Sequence, residues 1–309
     1  MSVLSLHNVT KRFGDFTAVD DLSFETPEGK IFGFLGRNGA GKTTTLRMVL
    51  DILRPTSGEI VVLGHPPGRE AVSRIGFLPE ERGLYRRMTV LDTVIYFGRL
   101  KGMTAKAAKT SAQALLARFD LEIWSGKLVE RLSKGMAQKV QLAGAIVNEP
   151  KLVILDEPFS GLDPISQTAL EETIKDLAKR GSTVVFSTHV MQHAERLCDR
   201  LVILSKGRKV FDGTQKQASA VLPTRLVLAA RGDPSGLPMV AEASADGAPA
   251  DGWTEWRVVL KPRAKPGDLL EACFTEGLVL RRFEEHRPSL HEIFIHLAGD
   301  DAAPLEQAA

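Results

Sequence analysis

The stretch Ile31-Phe-Gly-Phe-Leu35-Gly36-Arg37-Asn38-Gly39-Ala40-Gly41-Lys42-Thr43-Thr44 decides the fold. Its first five residues form a compact apolar run, the pattern of a strand buried on both faces. The next eight satisfy GxxxxGK[ST], and residues 42–53 read as a helix stopped by Arg54-Pro55, because proline cannot continue a helix. A strand, a glycine-rich turn and a helix in that order aim successive backbone N–H groups at phosphate oxygens. The helix start adds partial positive charge. Lys42 is placed to reach the β- and γ-phosphates, and the Thr43 hydroxyl to ligate Mg²⁺. Gly36, Arg37, Asn38, Gly39, Ala40, Gly41 and Thr44 complete the expected nucleotide-binding loop.

Working outward, strands and helices alternate through the first two-thirds of the chain. Residues 4–9 and 22–26 alternate apolar and polar and read as strands, as do 59–63 and 74–78. Residues 89–134 turn wholly helical: Thr89-Val-Leu-Asp92 has the form of a capping box, and 105–119 is alanine-rich. A buried strand at 151–155, a helix at 165–180, a strand at 183–187 and a helix at 191–198 follow. The expectation is an α/β fold, a parallel sheet covered on both faces with a helical insertion at about 89–134. After Asp212-Gly213 the composition shifts. Strands at 225–230, 255–261 and 279–283, and helices at 267–276 and 289–297, predict a small α+β unit over 222–298. The Gly/Pro/Ala/Asp-rich stretch 232–252 reads as a long loop or flexible excursion. The domains expected are therefore 1–214, 222–298 and a flexible tail at 299–309.

Bulk properties narrow the function. The chain has 309 residues, 43% hydrophobic and 25% charged, which excludes wholesale disorder. A net charge of +2 excludes a strongly basic nucleic-acid binder. Residues 215–309 hold ten basic and fourteen acidic side chains, −4 net, which leaves +6 for the first 214 and a mild lean towards anionic partners. Two cysteines, Cys198 and Cys273, cannot build a disulfide framework and are not spaced as metal ligands. No apolar signal core or stretch of about 20 apolar residues is present, so a soluble intracellular protein is expected. Trp253 and Trp256 read as packing residues.

A second chemical element is the apolar strand ending in Asp156-Glu157. Asp156 is placed to hold Mg²⁺, directly or through water, and Glu157 to polarise an attacking water. Phosphate loop and carboxylate strand together mean nucleotide hydrolysis. The discriminating piece is Leu132-Ser133-Lys134-Gly135-Met136 before a helix. A Ser133 hydroxyl and a Gly135 N–H at a helix start can both donate to a terminal phosphate.

Here the chain resembles the ATP-binding cassette family, whose signature reads LSGGQ. Lys134 and Met136 depart from it, replacing the second glycine and the glutamine. In the same order, Ser160-Gly161-Leu162-Asp163 matches the loop after the catalytic glutamate. His189, after Thr188, matches the switch histidine that contacts the γ-phosphate. Phe13 matches the aromatic that stacks on adenine, with Val19 lining the same face; phenylalanine keeps the π-face of the usual tyrosine. Glu80, in Ile75-Gly-Phe-Leu-Pro-Glu80, stands where the family has a glutamine on the metal side. It reads either as an oxygen ligand or as a solvated loop carboxylate. The resemblance covers residues 2–214.

The resemblance implies an ATPase subunit, with ATP and Mg²⁺ as cofactors, that works as a dimer with itself or a homologous subunit. Ser133, Lys134, Gly135, Met136 and Asp163 would then complete the other subunit's site. It further implies a separate transmembrane permease as partner, export as the direction, and a place on the cytoplasmic face of the cell membrane. Leu84, Tyr85 and Met88, apolar among charged residues, are expected to dock the permease. Soluble cassette ATPases of translation or DNA metabolism are disfavoured: the domain occurs once, and neither long heptads nor zinc-binding cysteines appear.

Overall fold

The computed structural model describes residues 2–81, 83–248 and 250–299; apart from Gly299, the tail expected to be flexible lies outside them. The chain divides into two compact units between Gln215 and Lys216.

The first unit runs β1 (Ser2–Phe13), β2 (Phe16–Pro27), β3 (Ile31–Leu35), α1 (Lys42–Val49), β4 (Ser57–Val62), α2 (Arg69–Ser73), β5 (Ile75–Leu78), α3 (Val90–Leu100), α4 (Ala105–Arg118) and α5 (Lys134–Ile146). It continues with β6 (Leu152–Asp156), α6 (Pro164–Lys179), β7 (Thr183–Thr188), α7 (Met191–Leu197), β8 (Arg200–Ser205) and β9 (Arg208–Gly213). The main sheet has the order β5-β6-β7-β3-β8-β9. Its first five strands are parallel, and β9 is antiparallel to β8. Every residue of β3, β6 and β7 is buried, as a parallel sheet covered on both faces requires. A second sheet, β2-β1-β4, is antiparallel. One core joins them: Leu4, Leu6, Leu22 and Phe24 pack with Phe32, Phe34 and Ile154, and the Phe24 and Phe32 rings stack at 5.5 Å.

Several boundaries differ from the sequence expectation for identifiable reasons. β1 and β2 are each twelve residues long, because the alternation breaks at a bulge where Asn8 and Asp21 both take positive φ and bond to each other. The helix expected over 42–53 ends at Val49. Asp51 takes φ 58°, and Ile52 N–H donates to Arg47 O while Asp51 N–H donates to Met48 O, so a Schellman motif, not Pro55, stops it. The helical insertion is broken by turns rather than wholly helical. α3 is capped by the Thr89 hydroxyl, which accepts from Asp92 N–H; the Asp92 carboxylate returns to that hydroxyl and not to the Thr89 backbone.

Past α8 (Gln215–Ser219), the second unit is β10 (Arg225–Arg231), β11 (Val240–Ala245), β12 (Thr254–Leu260), α9 (Pro266–Thr275), β13 (Val279–His286) and α10 (Leu290–Ala298). Its antiparallel sheet has the order β11-β12-β10-β13. Leu226, Leu228, Val258 and Leu260 pack there against Leu269 and Cys273 of α9. The stretch 232–252 is not simply a long loop: it holds the edge strand β11, whose mixture of small and acidic residues hides the alternation.

Candidate active site

The register of the main sheet assembles the site. Leu78 pairs with Leu155, Asp156 with Ser187, and Leu35 with Thr188. The segments that follow these strands, carrying Glu80, Glu157, Gly36 and His189, therefore leave from one edge, the carboxyl end of a parallel sheet where α/β folds bind ligands.

The phosphate loop is shaped by close backbone approach. A Cβ on Gly36 would sit 2.7 Å from Leu204 O, and one on Gly41, at φ 97°, 2.6 Å from Ala18 O. α1 starts at Lys42 with no side-chain cap and no acidic residue in its first turn, which leaves its positive end open to an anion. Lys42 is buried, and its Nζ donates to Gly36 O at 2.6 Å and Arg37 O at 3.3 Å. The same Nζ lies 3.4 Å from Glu157 Oε1.

Asp156 is 3% exposed and accepts from the Thr43 hydroxyl at 3.4 Å and, at shorter range, from Ser187 Oγ. Ser187 Oγ in turn accepts from Glu157 N–H at 3.0 Å. Sequence reasoning missed Ser187 as a site residue; its signal was the position opposite Asp156 in the neighbouring strand. Glu157 takes φ 46°, a left-handed conformation that a non-glycine residue adopts only where its surroundings impose it. His189 Nδ1 stands 3.0 Å from Glu157 Oε1 but off the line of a hydrogen bond, so both buried atoms lack a hydrogen-bond partner.

These residues fit a nucleotide with its cation. A buried carboxylate oxygen that accepts no hydrogen bond, a buried lysine and an uncapped helix start stand around the same loop. Thr43 and Asp156 supply oxygen donors of the kind a hard cation takes, with few protein ligands because phosphates provide the others. Among the described residues no three acidic, histidine or cysteine side chains converge as a metal cage. Glu80, expected on the metal side, is exposed beyond β5 and does not join Asp156 and Glu157 in such a cluster.

Phe13 is 47% exposed, with Lys11 Nζ 5.0 Å from its ring centre. Val19 departs from expectation. It is fully buried in the main core, a methyl group 3.3 Å from where a Gly41 Cβ would lie, so it supports the loop from beneath instead of lining an open face.

The signature residues form a second group. The Ser133 hydroxyl caps α5 by accepting from Met136 N–H at 3.3 Å, which leaves its proton free to donate elsewhere. Gly135 comes so near Ser166 that a Cβ would lie 2.7 Å from its Oγ, and the Lys134 ammonium covers Gly161. Asp163 caps α6, and the hydrogen bonds it accepts from Ser166 hold its carboxyl below the usual range. Gln138, also missed in the sequence, donates from α5 to Pro158 O at 3.0 Å and so ties the signature helix to the Glu157 turn.

Sequence comparison agrees with this geometry. Residues 19–160 match the ABC transporter family model. An ABC transporter ATP-binding protein of Bacillus subtilis, YhaQ, is 40% identical over 96% of this chain and 99% of its own length.

The chain belongs to the ABC transporter ATP-binding family.

It is an ATP-binding, ATP-hydrolysing subunit. Residues 229–298 match the C-terminal domain of DrrA1-3-like ATP-binding proteins. The Nod factor export ATP-binding protein I of Rhizobium meliloti is 36% identical over 96% of this chain and 88% of its own. Among solved structures, an ATP-binding subunit of an ABC transporter superposes with a TM-score of 0.67 at 30% identity, covering 71% of this chain and 93% of that one. The cbiO1 subunit of Clostridium perfringens, part of the ABC transporter complex cbiONQ, gives 0.64 at 26%, covering 71% and 91%.

The residues expected to meet the permease sit differently from one another. Tyr85 is 52% exposed, its ring edge-on to Tyr96 at 5.4 Å, while Leu84 and Met88 are half-buried. Beside them lies a groove of about 500 Å³ lined by Ile52, Phe77, Phe97 and Leu100, with Lys101 and Gln141 also in its wall. Of the described residues among 80–88, Gly83 lines it. No helix among the described residues is long and apolar enough to cross a membrane.

Proposed function

We propose that this subunit hydrolyses Mg²⁺-ATP to drive export through a separate permease, with Glu157 polarising the attacking water. The observation that carries the reading is the buried Oε1 of Glu157, paired in charge with Lys42 Nζ and close to His189 Nδ1 yet accepting no hydrogen bond. Lys42 and the loop N–H groups hold the phosphates, His189 meets the terminal one, and Phe13 stacks on adenine. Thr43 and Asp156 hold the cation, while Glu80 stays on the exposed loop beyond β5. Bound Mg²⁺ would supply charge neutralisation to the phosphates. Glu157 accepts the water's proton in a site where Asp156 keeps its carboxylate engaged with Thr43 and Ser187.

The working unit is two copies, or one copy with a relative: Gly135 lies beside Ser166 and Asp163, and Ser133 caps the same helix start, with Ser133 and Asp163 exposed. They are placed to close the nucleotide site of a second subunit. Export is supported by the likeness to the Nod factor export protein over most of the chain. The subunit then sits on the cytoplasmic face of the membrane, held there by the permease. Docking involves Tyr85, Leu84 and Met88 together with the adjoining apolar groove, where a few apolar anchors within a charged rim suit an incoming helix.

The test of nucleotide use is Lys42→Ala. Calorimetry should show ATP binding at least tenfold weaker, and phosphate release should fall to background, since the phosphates lose their strongest local charge. Unchanged affinity would contradict the role given to Lys42.

A further inference from the structure

Behind the turn that carries Glu157 lies a buried group that the hydrolysis scheme does not use. Ser160 N–H closes the turn on Glu157 O at 3.1 Å, and the Phe159 ring points into the core. That ring meets Phe186 of β7 edge-on and lies face to face with the imidazole of His193, the centroids 4.0 Å apart at 14°. His193, on α7, is 6% exposed; its Nδ1 is 3.3 Å from Oε1 of Glu171 on α6, itself 7% exposed. Arg196 Nη1 stands 3.5 Å from the same oxygen.

A buried imidazole and carboxylate are a costly way to fill space that leucine would fill at less desolvation cost. Burial also lowers the pKa of His193, against the opposing pull of Glu171 and the more distant Glu157, with Arg196 adding to the lowering. What the group does provide is direction. Glu171 fixes the plane of the imidazole, the imidazole fixes the ring of Phe159, and Phe159 is two residues from a glutamate held at positive φ. A strained backbone of that kind persists only where its neighbours over-determine it. From the opposite side, Gln138 holds Pro158 O.

We infer that His193 is a positioning residue for hydrolysis: stacked on Phe159 and oriented by Glu171, it holds the Glu157 carboxylate at its working position. The inference rests on the reading of Glu157 as the group that acts on water. Misplacing a catalytic group by about 1 Å can cost on the order of 10²-fold in rate.

The test compares His193→Leu, which keeps apolar volume but removes the ring, with His193→Phe, which keeps a ring on Phe159. Phosphate release, ATP affinity by calorimetry and melting temperature are measured for both, with Glu157→Gln alongside. His193→Leu should lower kcat tenfold or more with ATP Kd within twofold of wild type. His193→Phe should return kcat to within threefold. If His193→Leu does not fold, His193→Gln, polar and ringless, takes its place with the same expectation. Wild-type kcat in the ringless variant, equal loss in the phenylalanine variant, or affinity falling in step with rate would each overturn the inference. A Glu157→Gln chain that still hydrolyses ATP would instead remove the reading of Glu157, and this inference with it.

Discussion

Replacing Glu157 with glutamine tests the centre of the site, and the structure sets the size of each effect. The carboxylate is 8% exposed and its Oε1 lies 3.4 Å from Lys42 Nζ. At an effective dielectric constant near 20, such a pair attracts by about 5 kcal/mol, most of it offset by removing both ions from water. Without nucleotide, glutamine leaves Lys42 with the carbonyls of Gly36 and Arg37, so a stability loss of about 1–3 kcal/mol is expected. ATP phosphates supply the missing charge, and the deficit in thermal unfolding should close at saturating ATP. Affinity should not weaken, because a negative charge facing the phosphates has been removed. The rate should fall by about 10²–10⁴, or roughly 3–5 kcal/mol of barrier, as for loss of a general base. Phosphate release, calorimetry and melting curves with and without ATP read these quantities separately, and size exclusion should show an ATP-bound dimer. Turnover within a factor of two of wild type would refute the assignment, as would an affinity loss matching the rate loss.

Three further outcomes are expected. Mixing a Lys42→Ala chain with a Ser133→Arg chain should restore part of the ATPase activity that each lacks alone, because one of the two sites in a mixed dimer carries neither lesion; no recovery in dimers shown to be mixed counts against the trans arrangement. Tyr85→Ala, Leu84→Asp and Leu100→Asp should keep ATP hydrolysis in solution but lose co-purification with membranes. Wild-type membrane association in all three would place the docking site elsewhere. Lys101, mostly buried and donating to Asn148 Oδ1 and Ala145 O, has its pKa pushed by burial down to about 8. Between that value and the unfolded value near 10.5 the unfolded chain holds more protons, so stability rises with pH through the window, while below pH 8 the burial cost is fully present. Urea unfolding of wild type relative to Lys101→Met should therefore gain about 2 kcal/mol from pH 7.5 to 10; a difference that does not move with pH would show that Lys101 stays charged.

Local patterns were legible in the sequence, and features built by tertiary contact were not. The phosphate loop and β6 declare themselves because their chemistry is contiguous: an apolar strand must end where glycines or carboxylates begin. The β8–β9 hairpin escaped notice because its two-residue turn is Lys206-Gly207, both at positive φ, where Asn-Gly would have announced it. Val19 looks like a surface partner of Phe13 in sequence, yet the strand's register turns it into the core. Ser187 and His193 are ordinary strand and helix residues until the sheet order brings β7 beside β6 and α7 against Phe159.

The segment from Asp156 to Asp163 explains why so much of the site could still be read. Within eight residues it engages Thr43 and Ser187 through Asp156, Lys42 through Glu157, the signature helix through Pro158, the α6–α7 pair through Phe159 and the neighbourhood of Gly135 through Asp163. Most of these contacts constrain a side chain of the segment, while the one at Pro158 constrains its backbone carbonyl. Lys134 and Met136 change the signature, but Lys134 is exposed and begins α5 with its chain laid over Gly161, and half-buried Met136 supplies a backbone N–H to the Ser133 cap. The proposed functions of the signature, a donated hydroxyl proton from Ser133 and a backbone N–H from Gly135, need neither of the side chains that were replaced. A phosphate closing onto α5 would therefore pull, through Gln138 and Pro158, on the same turn that holds Glu157. If the proposed dimer forms, that link would join a second subunit's nucleotide, through the first turns of α5, Gln138 and Pro158, to the turn that carries Glu157.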